Sequence, residues 1–261
     1  MRIALLADIH GNSIALDAVL NDIRALGGVD QCWILGDLVA IGHDPIGVLE
    51  RLAQLSNAYF MRGNTDRYLV TGEFPKPSLA DIEKDVSLLP MLIEVVRSFA
   101  WTQGAVSSHG WLNWLAQLPV EHRLTLPDGT RLLGVHASAG KDDGRGVYPG
   151  IGETELASLM QSCDAELVCV AHTHAPLDKT VKGTRVVNLG SISNSFQPDL
   201  RASYALLQAD ETGYRISPRR VDYDRHAVIA ALHQAHHPAT EFIGRYMLGQ
   251  NTPHWSKYNH E

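Results

Sequence analysis

Residues 2–13, RIALLADIHGNS, open the chain with the run that decides what kind of sheet it builds. Arg2–Ala7 is a short apolar stretch suited to a buried strand, and the polar segment Asp8–Ser13 follows at once. From Ser13 to Leu26 the apolar residues Ile14, Leu16, Val19, Leu20 and Ile23 fall at helical spacing, until Gly27-Gly28 stops them. The unit then recurs. Gln31–Leu35 reads as a second strand broken at Gly36-Asp37, Pro45–Leu55 as a second helix, and Ala58–Arg62 as a third strand ending at Gly63-Asn64. Strands alternating with helices predict a parallel α/β sheet.

Beyond it the character changes. Residues 73–119 carry Pro75, Pro77 and Pro90, then an amphipathic stretch with Trp101, Trp111 and Trp114, and predict a helical cap or insertion within one domain spanning 1–261. The tryptophans read either as the lining of a base-stacking pocket or, as is more common, as the core of that insertion. Glu121–Leu126 and Arg131–Val135 flank a Pro-Asp-Gly-Thr turn and predict a hairpin. Gly152–Ser162 reads as a helix and Glu166–Val170 as a strand. Leu177–Val181 with Thr184–Val187, and Ser203–Gln208 with Tyr214–Tyr223, read as two further hairpins. The second half is therefore expected to be mostly antiparallel. Asp224–His236 reads as a helix, and the chain beyond Pro238 is weakly specified.

Composition narrows the function classes. A net charge of −7 argues against a protein held on nucleic acid by a basic face. No apolar run is long enough to span a membrane, and Asp8 arrives too early for a signal peptide. Cys32, Cys163 and Cys169 are an odd number at unrelated spacings, each in or beside an apolar run, as buried free thiols are. A reducing cytoplasmic setting is expected.

The chemistry lies where strands stop. Asp8-Ile9-His10 follows the first strand, Gly36-Asp37 the second and Gly63-Asn64 the third; His136 closes a hairpin strand and His172-Thr173-His174 follows Glu166–Val170. In an open α/β sheet the carboxyl ends of strands form the rim where ligands bind. Each element has an ordinary reading alone: Gly-Asp and Gly-Asn are common turn pairs, and a lone histidine is more often a satisfied one. Together they bring three carboxylate or amide groups and four imidazoles to one rim, provided the two halves of the chain pack side by side. Two divalent ions about 3.5–4 Å apart need such a mixed set and an anionic bridge, for which Asp37 is the natural candidate. Carboxylate, amide and imidazole donors suit Mn, Fe, Zn, Co or Ni better than Mg or Ca.

At these residues the chain resembles the calcineurin-like metallophosphoesterase superfamily. Gly36-Asp37-Leu-Val with Asp44-Pro45, Val187-Asn188-Leu-Gly190-Ser191 and Arg201-Ala-Ser-Tyr204-Ala are similar to bacterial single-domain members, among them YfcE-type phosphodiesterases and symmetrical diadenosine-tetraphosphate hydrolases. The resemblance implies a four-layer α/β/β/α sandwich of two facing mixed sheets. It implies Asp8, His10 and His174 on one ion, Asn64, His136 and His172 on the other, Asp37 bridging both, and a hydroxide between the ions attacking phosphorus directly. Asn12 and the backbone around Gly190-Ser191 become supports for phosphate or for the ligands. The substrate implied is a small phosphate compound, such as a nucleotide.

Three departures stand out. Thr65 occupies the place where many relatives carry a histidine after Gly-Asn, and it cannot donate a proton as a cation. Such an enzyme should favour leaving groups already stable as anions, as in phosphoanhydrides or aryl esters. Alternatively His43, between Gly42 and Asp44, replaces the lost acid; it also reads as an exposed loop histidine. Ala171 replaces a glycine before His-x-His, which matters only where a positive φ is required. Leu189 replaces a frequent proline, without expected consequence.

Phosphate-contacting arginines are sought near the rim in Arg67 and in Arg145, the latter within the glycine-rich stretch Gly140–Gly150, which reads as a mobile loop over the site or as a solvated turn cluster. His226, His233, His236, His237, His254 and His260 do not share the spacing of a metal site and are expected on a surface helix and tail, where a homo-oligomer contact could form. The rival functions are a phosphomonoesterase, a non-catalytic protein-binding scaffold of the same fold, and a dinuclear amidohydrolase. The scaffold predicts lost ligands and the amidohydrolase lacks separate Asp and Asn strand ends.

Overall fold

A computed structural model describes residues 1–253. The first sheet is built from β1 (Arg2–Leu6), β2 (Gln31–Leu35) and β3 (Ala58–Met61), with β9 (Ala202–Asp210) and β10 (Gly213–Val221), in the order β10-β9-β1-β2-β3. The second contains β4 (Glu121–Thr125), β5 (Arg131–Val135), β6 (Leu167–Val170), β7 (Leu177–Val181) and β8 (Thr184–Asn188), in the order β4-β5-β6-β8-β7. Pairing is parallel along β1-β2-β3 and β5-β6-β8 and antiparallel elsewhere, so both sheets are mixed.

Strand periodicity sorts the side chains into layers. Ile3, Leu5, Trp33, Leu35 and Met61 of the first sheet meet Leu132, Leu167, Cys169 and Val187 of the second in one apolar layer. Ala4, Leu6, Cys32 and Ile34 face the other way, onto α1 (Ser13–Ala25) and α2 (Pro45–Ala53). Leu133, Val168 and Val186 pack outward under α7 (Glu153–Leu159). The result is the four-layer α/β/β/α sandwich. Trp33 is fully buried between the sheets, and its loss to alanine should cost about 3–5 kcal/mol.

The three expected hairpins of the second half form and antiparallel pairing predominates there, but the middle of the second sheet was not anticipated. β5, β6 and β8 run parallel, and the β9–β10 hairpin leaves its sequence neighbours to pair with β1. Turn residues announce local pairing, whereas a crossover through α7 leaves no turn to read.

Residues 64–116 are largely helical: α3 (Asn64–Thr71), α4 (Leu79–Lys84), α5 (Leu89–Ser108) and α6 (Leu112–Ala116). Phe99, Val106 and Leu115 join the core outside the first sheet, and Trp111 and Trp114 pack against it. After β10 come α8 (Arg225–Gln234) and α9 (Thr240–Met247), closed around Val228, Leu232, Ile243 and Met247. The segment beyond Pro238 is thus better specified than its sequence suggests, because Ile243 and Met247 lie one helical turn apart and share that core. His237 is buried, not surface-lying, with the Trp101 ring against it at 4.6 Å. His254 and His260 lie outside the described residues. No helix of the described residues is long and apolar enough to cross a membrane.

Candidate metal centre

The rim is set by backbone before any side chain is placed. Past β1 and β2 the chain keeps pairing: Asp8 N–H donates to the Gly36 carbonyl at 3.1 Å, and His10 N–H to Asp37 at 2.9 Å. α1 starts there because Asn12 caps it, its side-chain oxygen accepting from Ala15 N–H at 3.0 Å. Asp8, His10, Asp37, His172 and His174 all have φ between 49° and 68°, the left-handed region that non-glycine residues rarely occupy. Five strained residues at one rim mark a functional site. Ala171 does not have a positive φ, so the missing glycine there costs nothing.

Close approach explains two glycines. A Cβ on Gly36 would lie 2.4 Å from Gly63 N, and one on Gly63 would lie 2.1 Å from Asp37 Oδ1. The second and third strand ends touch, which brings Asp37 beside Asn64.

The side chains then converge. His10 Nε2 lies 3.1 Å from His174 Nε2 and 3.7 Å from Asp37 Oδ2, and His174 Nε2 lies 3.5 Å from Asp8 Oδ1. These four residues offer ligand atoms all within 4.8 Å of one another. On the other side of Asp37, His136 Nε2 lies 3.5 Å from the same Oδ2 and 3.1 Å from Asn64 Oδ1, which is 3.0 Å from His172 Nδ1. Asp37 therefore stands between two groups, and all seven residues singled out at strand ends meet. The sheets are stitched there: His172 N–H donates to Asp8 Oδ2 at 3.2 Å.

Histidine tautomers follow from the outer partners. A carbonyl only accepts, so each ring nitrogen facing one carries the proton. Nδ1 of His10, His136 and His174 donates to the carbonyls of Ala40, Leu35 and Asn194 at 3.0, 2.6 and 3.0 Å, and Nε2 of His172 to Gly144 at 2.9 Å. Four inner nitrogens thus present lone pairs to one buried space already holding two carboxylates and an amide oxygen. Asp8 Oδ1 is buried there with no hydrogen-bond partner. Such a set repels itself unless protons or cations intervene, and pinned outer nitrogens are the usual support of metal-binding imidazoles. The donors fit divalent transition ions.

Where no cation enters this space, a proton on His136 balances the carboxylates in its place. Burial opposes charge on His136, yet the Asp37 carboxylate beside it pushes the imidazole up to about 10. Burial lowers His10 to about 4 despite Asp37. Asp37 is held ionised against burial by His136, His10 and His172.

Two supports were missed in the sequence. Asp66 is fully buried and accepts from the N–H groups of Asp37, Leu38 and Gly63, each at 2.9 Å, bolting the second strand end to the third. An acid three residues after a helix-capping Gly63 was the available signal. Asn188 donates at 2.9 Å to the carbonyls of Val147 and Ala171 and to Thr173 Oγ1, fixing the His-x-His turn.

The remaining candidates are placed differently. Asn12 uses its oxygen on α1 and donates from Nδ2 to Ser193 Oγ at 3.1 Å. Arg67 is not a free phosphate arm: its guanidinium meets Asp142 at 3.2 Å, Asp143 at 2.9 Å, and Glu73, three carboxylates that outcompete solvent. Arg145 reaches Glu155 at 3.4 Å. The 140–150 loop is pinned through these contacts and through Arg62, which bonds Asp142 at 2.7 Å, so the structure gives no picture of a loose flap. His43 contacts Ser13 Oγ at 3.4 Å, and burial lowers its pKa against the pull of Asp44. Thr65 donates its N–H to Asp37 Oδ1 at 2.9 Å, and its buried hydroxyl has no partner.

Comparison with known proteins accords with this geometry. The calcineurin-like phosphoesterase superfamily domain matches residues 1–212, which contain every converging residue. The chain belongs to that superfamily. This metallophosphoesterase is 27% identical over 241 residues to an uncharacterized protein of Methanocaldococcus jannaschii, covering 85% of the chain and 88% of the relative. It shares 27% identity over 144 residues with a symmetrical bis(5'-nucleosyl)-tetraphosphatase of Pectobacterium carotovorum, covering 52% of the chain and 43% of that protein. A metallophosphoesterase structure from Sphaerobacter thermophilus superimposes with a TM-score of 0.72 at 24% identity, over 96% of the chain and 99% of the other, and shows the same fold.

Proposed function

We propose that this metallophosphoesterase hydrolyses phosphodiester or phosphoanhydride bonds of small molecules with two divalent transition ions, of the Mn, Fe, Zn, Co or Ni class. One observation carries the reading: four imidazoles, each pinned by a backbone carbonyl, turn their inner nitrogens toward Asp8, Asp37 and Asn64. Asp8, His10 and His174 would hold one ion and Asn64, His136 and His172 the other, with Asp37 shared. When bound, the ions supply positive charge at the phosphoryl oxygens and a water of lowered pKa. The chain's own contribution is to fix the donors, exclude solvent from Asp8, Asp37 and His136, and hold Asp37 ionised.

Thr65 supports the substrate class. With no cationic donor after Asn64, bonds whose leaving group is already a stable anion are favoured, such as those of dinucleoside polyphosphates, activated diesters or aryl esters. The similarity to a symmetrical tetraphosphatase points the same way. His43 is the remaining candidate donor, and burial holds it neutral. Three buried free thiols fit a reducing cytoplasm.

The test is metal-reconstituted hydrolysis across aryl diesters, cyclic nucleotides, dinucleoside polyphosphates and monoesters, with Asp37→Asn as the blank. Turnover confined to the wild type, strongest on anhydrides or aryl esters, is expected. Undiminished turnover by Asp37→Asn would sink the dinuclear reading, and fastest cleavage of alkyl monoesters would sink the leaving-group argument.

A further inference from the structure

The His174 ring has two neighbourhoods. Its Nε2 belongs to the converging set, 3.1 Å from His10 Nε2. Its other side borders a cavity of about 190 Å³ whose lining includes Phe196, Pro149, Pro176, Pro198 and Arg220. Phe196 lies near-parallel to His174, with centroids 6.1 Å apart and 27° between the planes. Tyr246 backs Phe196 at 5.7 Å, and Phe242 backs Tyr246 at 5.4 Å, so the aromatic wall is braced from α9. Prolines and an aromatic ring give this cavity flat apolar faces, the surfaces on which planar rings stack.

The cavity also holds a cation whose charge is poorly matched. Asp199 is taken up by Arg201 through two contacts, at 2.9 and 2.8 Å, while Arg220 reaches the same carboxylate at only 3.4 Å. Two guanidiniums thus share one carboxylate, and the half-buried Arg220 is the more weakly paired. Pockets for drug-sized ligands run to about 300–1,000 Å³, so this one admits a single ring system and not a whole dinucleotide.

We propose that this cavity is the subsite for the organic moiety of the substrate, taking a planar aromatic ring with an anionic substituent: the ring lies against Phe196, the anion pairs with Arg220, and the phosphoryl group sits at the adjoining centre. This inference rests on the hydrolase reading of that centre. It assigns Phe196 and Arg220 to specificity, and leaves bond cleavage to the residues around Asp37. An aryl phosphate and a nucleoside phosphate share the ring that Phe196 would take; only a ring bearing its own anion, as in 4-carboxyphenyl phosphate, also engages Arg220.

The test is calorimetric binding to the full-length, manganese-loaded protein of inorganic phosphate, phenyl phosphate, 4-carboxyphenyl phosphate and AMP. The wild type should bind the ring-bearing probes about 10-fold or more tighter than phosphate, and 4-carboxyphenyl phosphate tighter than phenyl phosphate. Phe196→Ala and Phe196→Leu should erase the first preference while leaving phosphate unchanged, and Phe196→Trp should restore it. Arg220→Ala should erase only the second. The relative affinities of AMP and phenyl phosphate decide between a nucleoside and a smaller aryl group. Equal losses on all probes in Phe196→Ala would make Phe196 a mere prop for His174 and overturn the proposal, as would the absence of any ring preference. Hydrolysis that depends on Asp37 but shows no ring preference removes the subsite and keeps the hydrolase. A Phe196-dependent ring preference without hydrolysis of any ester does the reverse.

Discussion

Among the described residues, two groups of buried and half-buried histidines differ in how their protons are spent. At the rim, His10, His136, His172 and His174 each give an N–H to a backbone carbonyl and turn a lone pair inward, toward Asp8, Asp37 and Asn64. His237 is wired the opposite way: its Nδ1 accepts from Ala239 N–H at 3.1 Å, which leaves the proton on a buried Nε2 that meets no partner. His43 likewise has a buried Nδ1 without a partner. Burial alone therefore does not distinguish a ligand from a packed ring. The distinguishing feature is an outer carbonyl that fixes the tautomer together with an inner anion that shares the lone pair's space.

Asp37→Asn should break the rim most severely. It leaves the shape nearly unchanged but removes the charge that both halves of the ligand set share. We expect activity with manganese to fall at least about 100-fold. The stabilisation conferred by added metal should shrink with it; full metal binding confers about 4 kcal/mol at a thousandfold excess over Kd. Thermal melts with and without chelator measure this. An unchanged metal-induced rise in Tm would mean that Asp37 is not the shared ligand.

The next effect tests support. Asn188→Leu preserves bulk but removes the amide whose two N–H groups, shared among Val147, Ala171 and Thr173, hold the His-x-His turn. Metal affinity, read by titration with competing chelator, should drop about 10–100-fold. A drop in Tm of the apoprotein with no change in metal affinity would show that Asn188 stabilises the fold alone.

Much of the rim was legible because its residues sit directly after apolar runs, where an α/β sheet puts them at one edge. Asp8, His10, Asp37, Asn64, His136, His172 and His174 share that placement. Asp66 was not legible, because a carboxylate that accepts three backbone N–H groups resembles any acid in a first helical turn. The parallel pairing of β5, β6 and β8 left no local trace. Phe196 carries no signal in the sequence, since only the fold sets it beside His174. The burial of His237 needed α5 to bring Trp101 against it.

His237 provides a pH test of the contrast. Burial, with His43 nearby, pushes its imidazole down from 6.5 to about 4. Between those values the unfolded chain binds more protons than the fold, so stability is lost as pH falls from 6.5 towards 4. The loss attributable to this residue is on the order of 3 kcal/mol by pH 4. His237→Phe keeps the ring against Trp101 and should flatten that part of the Tm–pH curve while leaving metal affinity unchanged. An identical acid transition in the variant would show that His237 is protonated in the fold.

The smallest effect is expected at His43, and it cuts closest to the open chemistry. If His43 replaces the histidine that Thr65 displaces, His43→Ala should cost about 10²–10⁴-fold, the usual range for a general acid, and most on substrates with poor leaving groups. The structure argues for less. Its Nε2 is spent on Ser13 at a long 3.4 Å, its Nδ1 is buried and unpaired, and burial keeps it neutral near pH 7, so it lacks the easily released proton of an imidazolium. We therefore expect less than about a 10-fold loss on aryl esters and anhydrides, with a slightly larger loss on alkyl esters. Steady-state rates for Thr65→His beside His43→Ala on a matched aryl and alkyl pair separate the cases. A gain on alkyl esters in Thr65→His identifies the missing proton as what restricts the substrate. A loss above 100-fold in His43→Ala would move that residue into the catalytic group and leave tautomer wiring insufficient to separate the two sets of histidines.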